Sequence, residues 1–218
     1  MAVSRRLAEL AAEGAARLGV RVDVQSVGGV DAERRIAAGE AMDFIVLAAA
    51  AIDRLAQARH VDPGTRVPIA RAAMALATAP GVAAPRIDTP EAVRDAVLAA
   101  PRVAYSTGPS GRHLVALLER WAIAGRMQSR LVLAPPGVSV GSLLARGDAE
   151  IGFQQMSELI GVPGVTIAGS LPAAIAAITT FEGAVSTVSR QASLSRDVLA
   201  FLGSDAHAAR RARHGLEM

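Results

Sequence analysis

Apolar residues in this chain recur every three or four positions, then every two, and the two periods keep exchanging from one end to the other. Repeated alternation of helix-like and strand-like segments commits a chain to an α/β fold. Residues 4–18 carry Leu7, Leu10, Ala11 and Leu18 at helical spacing, and Gly19 follows as a stop. Val20, Val22 and Val24 then alternate with Arg21, Asp23 and Gln25, which predicts a strand with one wet face or an edge position. A short helix ending near Gly39, a strand at Phe44–Ala48 buried on both faces, a helix through Ile52 and Leu55, and a strand near Val67–Ala77 complete a first unit.

The segment TAPGVAAPRIDTP (78–90), with Pro80, Pro85 and Pro90, reads as a crossing between lobes. Beyond it the spacing predicts a helix over 90–100, a strand at Arg102–Tyr105 and a helix over 111–121. A strand at 131–134, a helix at 139–145 and a strand at Glu150–Phe153 follow. The stretch Ile175–Val188 is suited to carry the chain back, and helices near 195–202 and 205–214 close it. The expected division is 1–78 with 182–218 as one lobe and 79–181 as the other. Each is expected to be a mostly parallel sheet flanked by helices, with a ligand cleft between them.

Composition narrows the function. With 51% apolar and 3% aromatic residues the core must be aliphatic. The longest apolar runs break far short of the ~20 residues a membrane span needs, so a membrane-embedded protein is not expected. All 23 basic residues are Arg, against 20 acids, so a pI of 10.7 reflects guanidinium chemistry and not a large field. Scattered charge and few rings give bases no stacking platform, and nucleic acid is not an expected partner. Zero cysteines exclude disulfides and thiolate sites. The four histidines (60, 113, 207 and 214) lack ligand spacing with carboxylates, so neither a side-chain metal site nor a cofactor is expected. MAVSRRLAEL has no apolar core of a signal peptide.

The strongest local motif is YSTGPSG, Tyr105–Gly111, between a predicted strand and an amphipathic helix. Ser106, Thr107 and Ser110 offer hydroxyls, while Gly108 and Gly111 let a ligand approach the main chain at a helix start, the arrangement of an anion site. The same residues also suit a turn that caps only its own helix. Gly28 and Gly29, before a helix with Arg34 and Arg35, repeat that logic more weakly. GFQQMSEL (152–159) places the amides of Gln154 and Gln155 after a buried strand, with Ser157 or Glu158 able to cap or to line a pocket. Ser139, at another helix start in PPGVSVG, reads first as a cap.

Taken in order, RVDVQSVGGVDAERRIAAGEAMDFIVLA, YSTGPSGRHLVALLERW, PPGVSVGSLLARGDAEIGFQQMSEL, VPGVTIAGSLPAAI and LAFLGSDAHAARRARHGLE resemble the periplasmic molybdate-binding protein family of ABC importers. Some members of that wider group resemble aconitate isomerase. The resemblance implies a two-lobed type-II periplasmic-binding fold that closes on an oxyanion with neutral hydroxyls and peptide N–H groups. Carried onto this chain, the implied contacts are Ala2 in a first loop, Gly28, Gly29 and Val30, then Ser106, Thr107, Ser110 and Gly111. Ser139 and Val140, and Gln154 and Gln155, complete them. Three positions depart from the pattern. A family hydroxyl is Gly29 or Val30 here, a frequent Tyr is Gln155, and a Ser-rich loop is reduced to Met1–Ser4. Each removes a hydroxyl that would face molybdate. The resemblance also implies an opening strand ahead of Met1, hence a natural start upstream, which an intact mass of 22.4 kDa for the native protein would refute.

The expectation is a substrate-binding protein for a small oxyanion or carboxylate, partnered by an ABC permease and periplasmic if an export signal lies upstream, otherwise cytoplasmic. The alternative is an isomerase moving a proton in an unsaturated tricarboxylate such as aconitate. For that reaction Glu158, Asp31 and His113 are the candidate bases, and the sequence does not choose among them.

Overall fold

The computed structural model describes residues 2–213, 215 and 216, and the side chains of 9–209, 212, 213, 215 and 216. His214 lies outside them. The chain divides into two compact units, Met1–Ala72 with Thr180–Met218, and Ala73–Thr179. The division falls inside a strand, and the proline-rich segment 79–90 belongs to the second unit.

Unit 1 begins with helix α1 (Ala2–Arg17), so Ala2 opens a helix and not a loop, and its side chain is outside the described residues. Helix α2 (Gly29–Ala37), strand β1 (Phe44–Ala48) and helix α3 (Ala49–Gln57) follow, and strand β2 (Val67–Thr78) leads out of the unit. Residues 20–28 form no strand despite their alternating valines. A period-2 pattern makes a strand only when a neighbour takes up its peptide groups, and among the described residues none does. Burial along β1 alternates between buried and half-buried positions. It is therefore covered fully on one face, not on both.

Unit 2 holds α4 (Pro90–Ala99), β3 (Val103–Tyr105), α5 (Pro109–Arg120), α6 (Ala124–Met127), β4 (Leu131–Leu133), α7 (Val140–Ala145), β5 (Ile151–Gln155), α8 (Met156–Leu159) and β6 (Thr166–Ser170). Helix α4 starts at Thr89, whose hydroxyl accepts from the Ala92 N–H at 3.1 Å, with Pro90 pre-set in the first turn. Strand β3 runs parallel to both β4 and β5, but β2 is antiparallel to β5 and β6. The sheet is mixed, not mostly parallel. One face packs Val93, Val97, Leu114, Leu117 and Leu118 of α4 and α5 on Val103, Ile151 and Phe153. The other packs Val140, Leu143 and Leu144 of α7 on Ala75, Ala77 and Ala104.

Strand β7 (Ile178–Val185) returns to unit 1 and pairs antiparallel with β1, with Phe44 opposite Val185 and Ala48 opposite Phe181. Helix α9 (Ala192–Gly203) lays Val198, Leu199 and Leu202 on a cluster with Leu10, Ile69 and Val185, and α10 (Ala208–Ala212) ends the described helices.

Candidate functional site

Three parallel strands in unit 2 end at one edge, and this collects the polar motifs. Tyr105 lies opposite Leu133, and Ala104 opposite Gly152, so β3, β4 and β5 finish side by side. Their continuations carry Ser106–Gly108 into α5, residues 134–139 into α7, and Gln155 into α8. Gly111 sits against the first of these turns. A Cβ there would stand 1.6 Å from the Ser106 carbonyl oxygen, so no larger residue fits. Gly152 does the same for α7, since its missing Cβ would lie 2.5 Å from Val140 Cγ1.

Helix α5 starts without a side-chain cap. Gly108 is the N-cap, Pro109 has no N–H, and the first helical hydrogen bond runs from Arg112 N–H to Gly108 O at 3.1 Å. The N–H groups of Ser110 and Gly111 therefore have no main-chain acceptor. Around them lies a neutral chain of side chains. Ser110, 1% exposed, donates its hydroxyl to Gln155 Oε1 at 3.4 Å, and Gln155 Nε2 donates to Thr179 Oγ1 at 3.3 Å. Ser106 Oγ is 3.5 Å from Ser110 Oγ and accepts from Gly108 N–H at 3.3 Å. All four are long hydrogen bonds, so the groups hold one another loosely and retain capacity for another partner. Arg112 extends Nη1 to the Thr107 carbonyl at 3.2 Å, and exposed Thr107 borders the cluster.

The other amide faces the opposite side of β5. Gln154 Oε1 accepts from Gly141 N–H at 3.3 Å and so takes up an orphan donor of α7. Ser139 is the cap of α7, accepting from Ser142 N–H at 3.0 Å, so its hydroxyl serves the helix, while Val140 is fully buried. Ser157 is 2% exposed and its Oγ has no hydrogen-bond partner. Thr179 carries no motif; only the geometry of Gln155 reveals it.

His113 and Asp31 each have a located partner. His113 Nε2 stands 2.9 Å from the Ile175 carbonyl, which only accepts, so that nitrogen carries the proton and cannot serve as a base. Asp31 pairs with Arg34. Half-buried Glu158 follows the Gln155 end of β5 directly.

Unit 1 keeps its own candidates separately. Gly28 is the N-cap of α2 with extended backbone and no side-chain cap bond, Gly29 begins the helix, and Val30 is 53% exposed. Nearby charges pair with each other. Arg54 binds Glu33 at 2.6 and 2.7 Å, and Arg35 clasps Glu40, which holds that carboxyl below the usual carboxylate range, chiefly through the hydrogen bond. Among the described residues no group of three or more His, Asp or Glu is placed to hold a metal, and no helix is long and apolar enough to cross a membrane.

The model of the bacterial extracellular solute-binding protein family matches residues 2–217. The chain belongs to that family. A curated relative, an aconitate isomerase from a Pseudomonas species, is 33% identical over 178 residues, covering 78% of this chain and 65% of its own length. The chain thus spans less than two thirds of that relative. The periplasmic molybdate-binding protein of Azotobacter vinelandii superposes with a TM-score of 0.79 at 18% identity, covering 97% of this chain and 94% of that one. PEB3 solved with L-phospholactate gives 0.73 at 12% identity over 99% and 95%. These likenesses confirm the type-II periplasmic-binding fold of this solute-binding protein.

Proposed function

We propose that this solute-binding protein captures a small carboxylate or oxyanion on the neutral donors of unit 2. The observation that carries the reading is the uncapped start of α5. There two free N–H groups adjoin Ser106, Ser110 and Gln155, with Gly111 packed on the Ser106 carbonyl. Peptide donors at a helix start favour negative charge without a cationic side chain. Selectivity follows from matching each donor, since an unmatched buried N–H costs about 1–3 kcal/mol. The Val140 main chain is a further contact in this reading. Delivery to an ABC permease outside the cytoplasm fits the family name and completes it.

A second reading rests on the aconitate isomerase relative: proton transfer in an unsaturated tricarboxylate on the same scaffold. Glu158, half-buried three residues beyond Gln155, is then the first base to test, with Asp31 and His113 Nδ1 tested beside it.

Thermal shift against molybdate, tungstate, sulfate, citrate and both aconitates tests the binding reading. A ligand at a hundred times its dissociation constant adds about 2.7 kcal/mol of stability. The expected result is that carboxylates shift the protein at least as much as molybdate. A shift with molybdate alone refutes the carboxylate preference, and turnover of one aconitate into the other moves the assignment to the isomerase.

A further inference from the structure

Arg112 is the fourth residue of α5 and is exposed. Helical side chains lean toward the N-terminus of their helix. This one follows that lean past the helix start and places Nη1 3.2 Å from the Thr107 carbonyl. The position runs against helix electrostatics, because the N-terminal end is the positive end, where acids stabilise and cations cost. Helix α4 obeys the rule with Glu91 in its first turn, whereas α5 has no acid there, no side-chain cap, and a guanidinium instead. The arginine is also unspent. Elsewhere in unit 2, Arg86, Arg94, Arg102 and Arg146 each pair with a carboxylate. Arg112 pairs with none among the described residues, and the bond to Thr107 engages one nitrogen of a group with five N–H donors.

Two donor sets of different kinds therefore meet at one turn. The Ser110 and Gly111 N–H groups, with the side chains of Ser110 and Gln155, are buried and neutral, which suits one carboxylate sealed from water. The guanidinium of Arg112 is exposed, cationic and planar, and its fork matches a carboxylate with two parallel hydrogen bonds. Its hold on Thr107 keeps it beside the turn and out of open solvent. A ligand with one carboxylate fills the first set and leaves the second over. We infer, resting on the site reading above, that the ligand carries at least two carboxylates, the first on the peptide and hydroxyl donors and the second on Arg112. Arg112 then sets a preference for di- and tricarboxylates over monocarboxylates. It also sets one over compact oxyanions, whose charge is gathered on a single centre.

Isothermal titration of the full chain with butyrate, succinate and tricarballylate tests this, with molybdate as the compact dianion. Succinate and tricarballylate are expected to bind about tenfold more tightly than butyrate, or better. Arg112→Gln removes that margin and changes butyrate and molybdate by less than about twofold, since neither reaches the guanidinium. Arg112→Lys keeps the charge without the fork and recovers part of the margin. Added salt weakens succinate more in the unaltered chain than in Arg112→Gln. Butyrate binding as tightly as succinate overturns the inference. So does an Arg112→Gln loss shared equally by every ligand, which assigns the side chain to holding Thr107 alone. Gln155→Ala separates the two levels of the reading. If it weakens every ligand while Arg112→Gln weakens none, the site stands and only the second contact falls. If no ligand binds, or Gln155→Ala leaves all of them unchanged, the site reading fails and this inference with it.

Discussion

The Gly28–Gly29 turn of unit 1 and the Gly108–Gly111 turn of unit 2 look alike in sequence, each a glycine pair at the entry to a helix. In the structure they differ in what surrounds them. Gly29 is exposed, and a Cβ added there would come no nearer than 3.8 Å to Leu47 Cδ2; at Gly111 the same atom would meet main-chain oxygen at 1.6 Å. The second glycine is demanded by packing; the first is merely allowed. Unit 2 has parallel strands ending at one edge, which crowd three turns together, whereas the segment before α2 has no strand to anchor it. A glycine motif therefore acquires meaning from the strand that delivers it.

The largest expected effect breaks this comparison at its strongest point. Gly111→Ala destabilises the protein by about 3 kcal/mol or more, because the obstacle is main chain and cannot swing away. Gly29→Ala has the opposite sign, a gain of about 0.5 kcal/mol, since alanine suits a helix better and meets nothing close. Denaturant titration of both variants measures the difference. Equal losses at the two sites would show that the turns are alike after all.

Next in size is an effect on binding. Gln155→Ala removes the acceptor of Ser110 and the donor to Thr179, both inside unit 2. It is expected to weaken the best ligand by about ten- to a hundredfold while costing about 1 kcal/mol of stability. Asp31→Asn in unit 1 removes only an exposed pair with Arg34 and is expected to change affinity by less than about twofold. Calorimetric titration of each variant decides between them; a larger loss from Asp31→Asn would move the centre of recognition into unit 1.

Much of the fold was legible because its elements carry complete local signals. Thr89-Pro90 before Val93 and Val97 announces α4, and Leu114, Leu117 and Leu118 announce α5. The failures are all non-local. The valines at 20–24 satisfy the strand period yet lack a partner, β1 is half-covered on one face, and β2 turned out antiparallel to β5, a matter of connection and not of pattern. At the site, the YSTGPSG turn and Gln155 were readable from residue type and position. Their coupling through Ser110 was not, because residues 110 and 155 meet only when β3 and β5 pair. Nor was the contact of His113 Nε2, which depends on a carbonyl 62 positions away.

The smallest effect separates the units by chemistry. The polar cluster of unit 2 (Ser106, Ser110, Gln155 and Thr179) contains no ionisable side chain, so acid leaves its donors unchanged. Unit 1 holds Glu40 against Arg35, and the folded chain keeps that carboxyl below its usual range. The unfolded chain then binds more protons in that window, so the contribution of Glu40 is complete above the usual carboxylate range. It fades as pH falls through the lower folded value. Both partners are half-buried at the surface, where water still screens the pair, so the loss is slight, and Glu40→Gln is expected to remove it. Melting temperature against pH for the two proteins should converge in acid and part above the carboxylate range, the unaltered protein being the more stable. Curves that stay parallel throughout would place the acid sensitivity elsewhere, with Asp88, similarly held low by Arg86 in unit 2, the next carboxylate to replace.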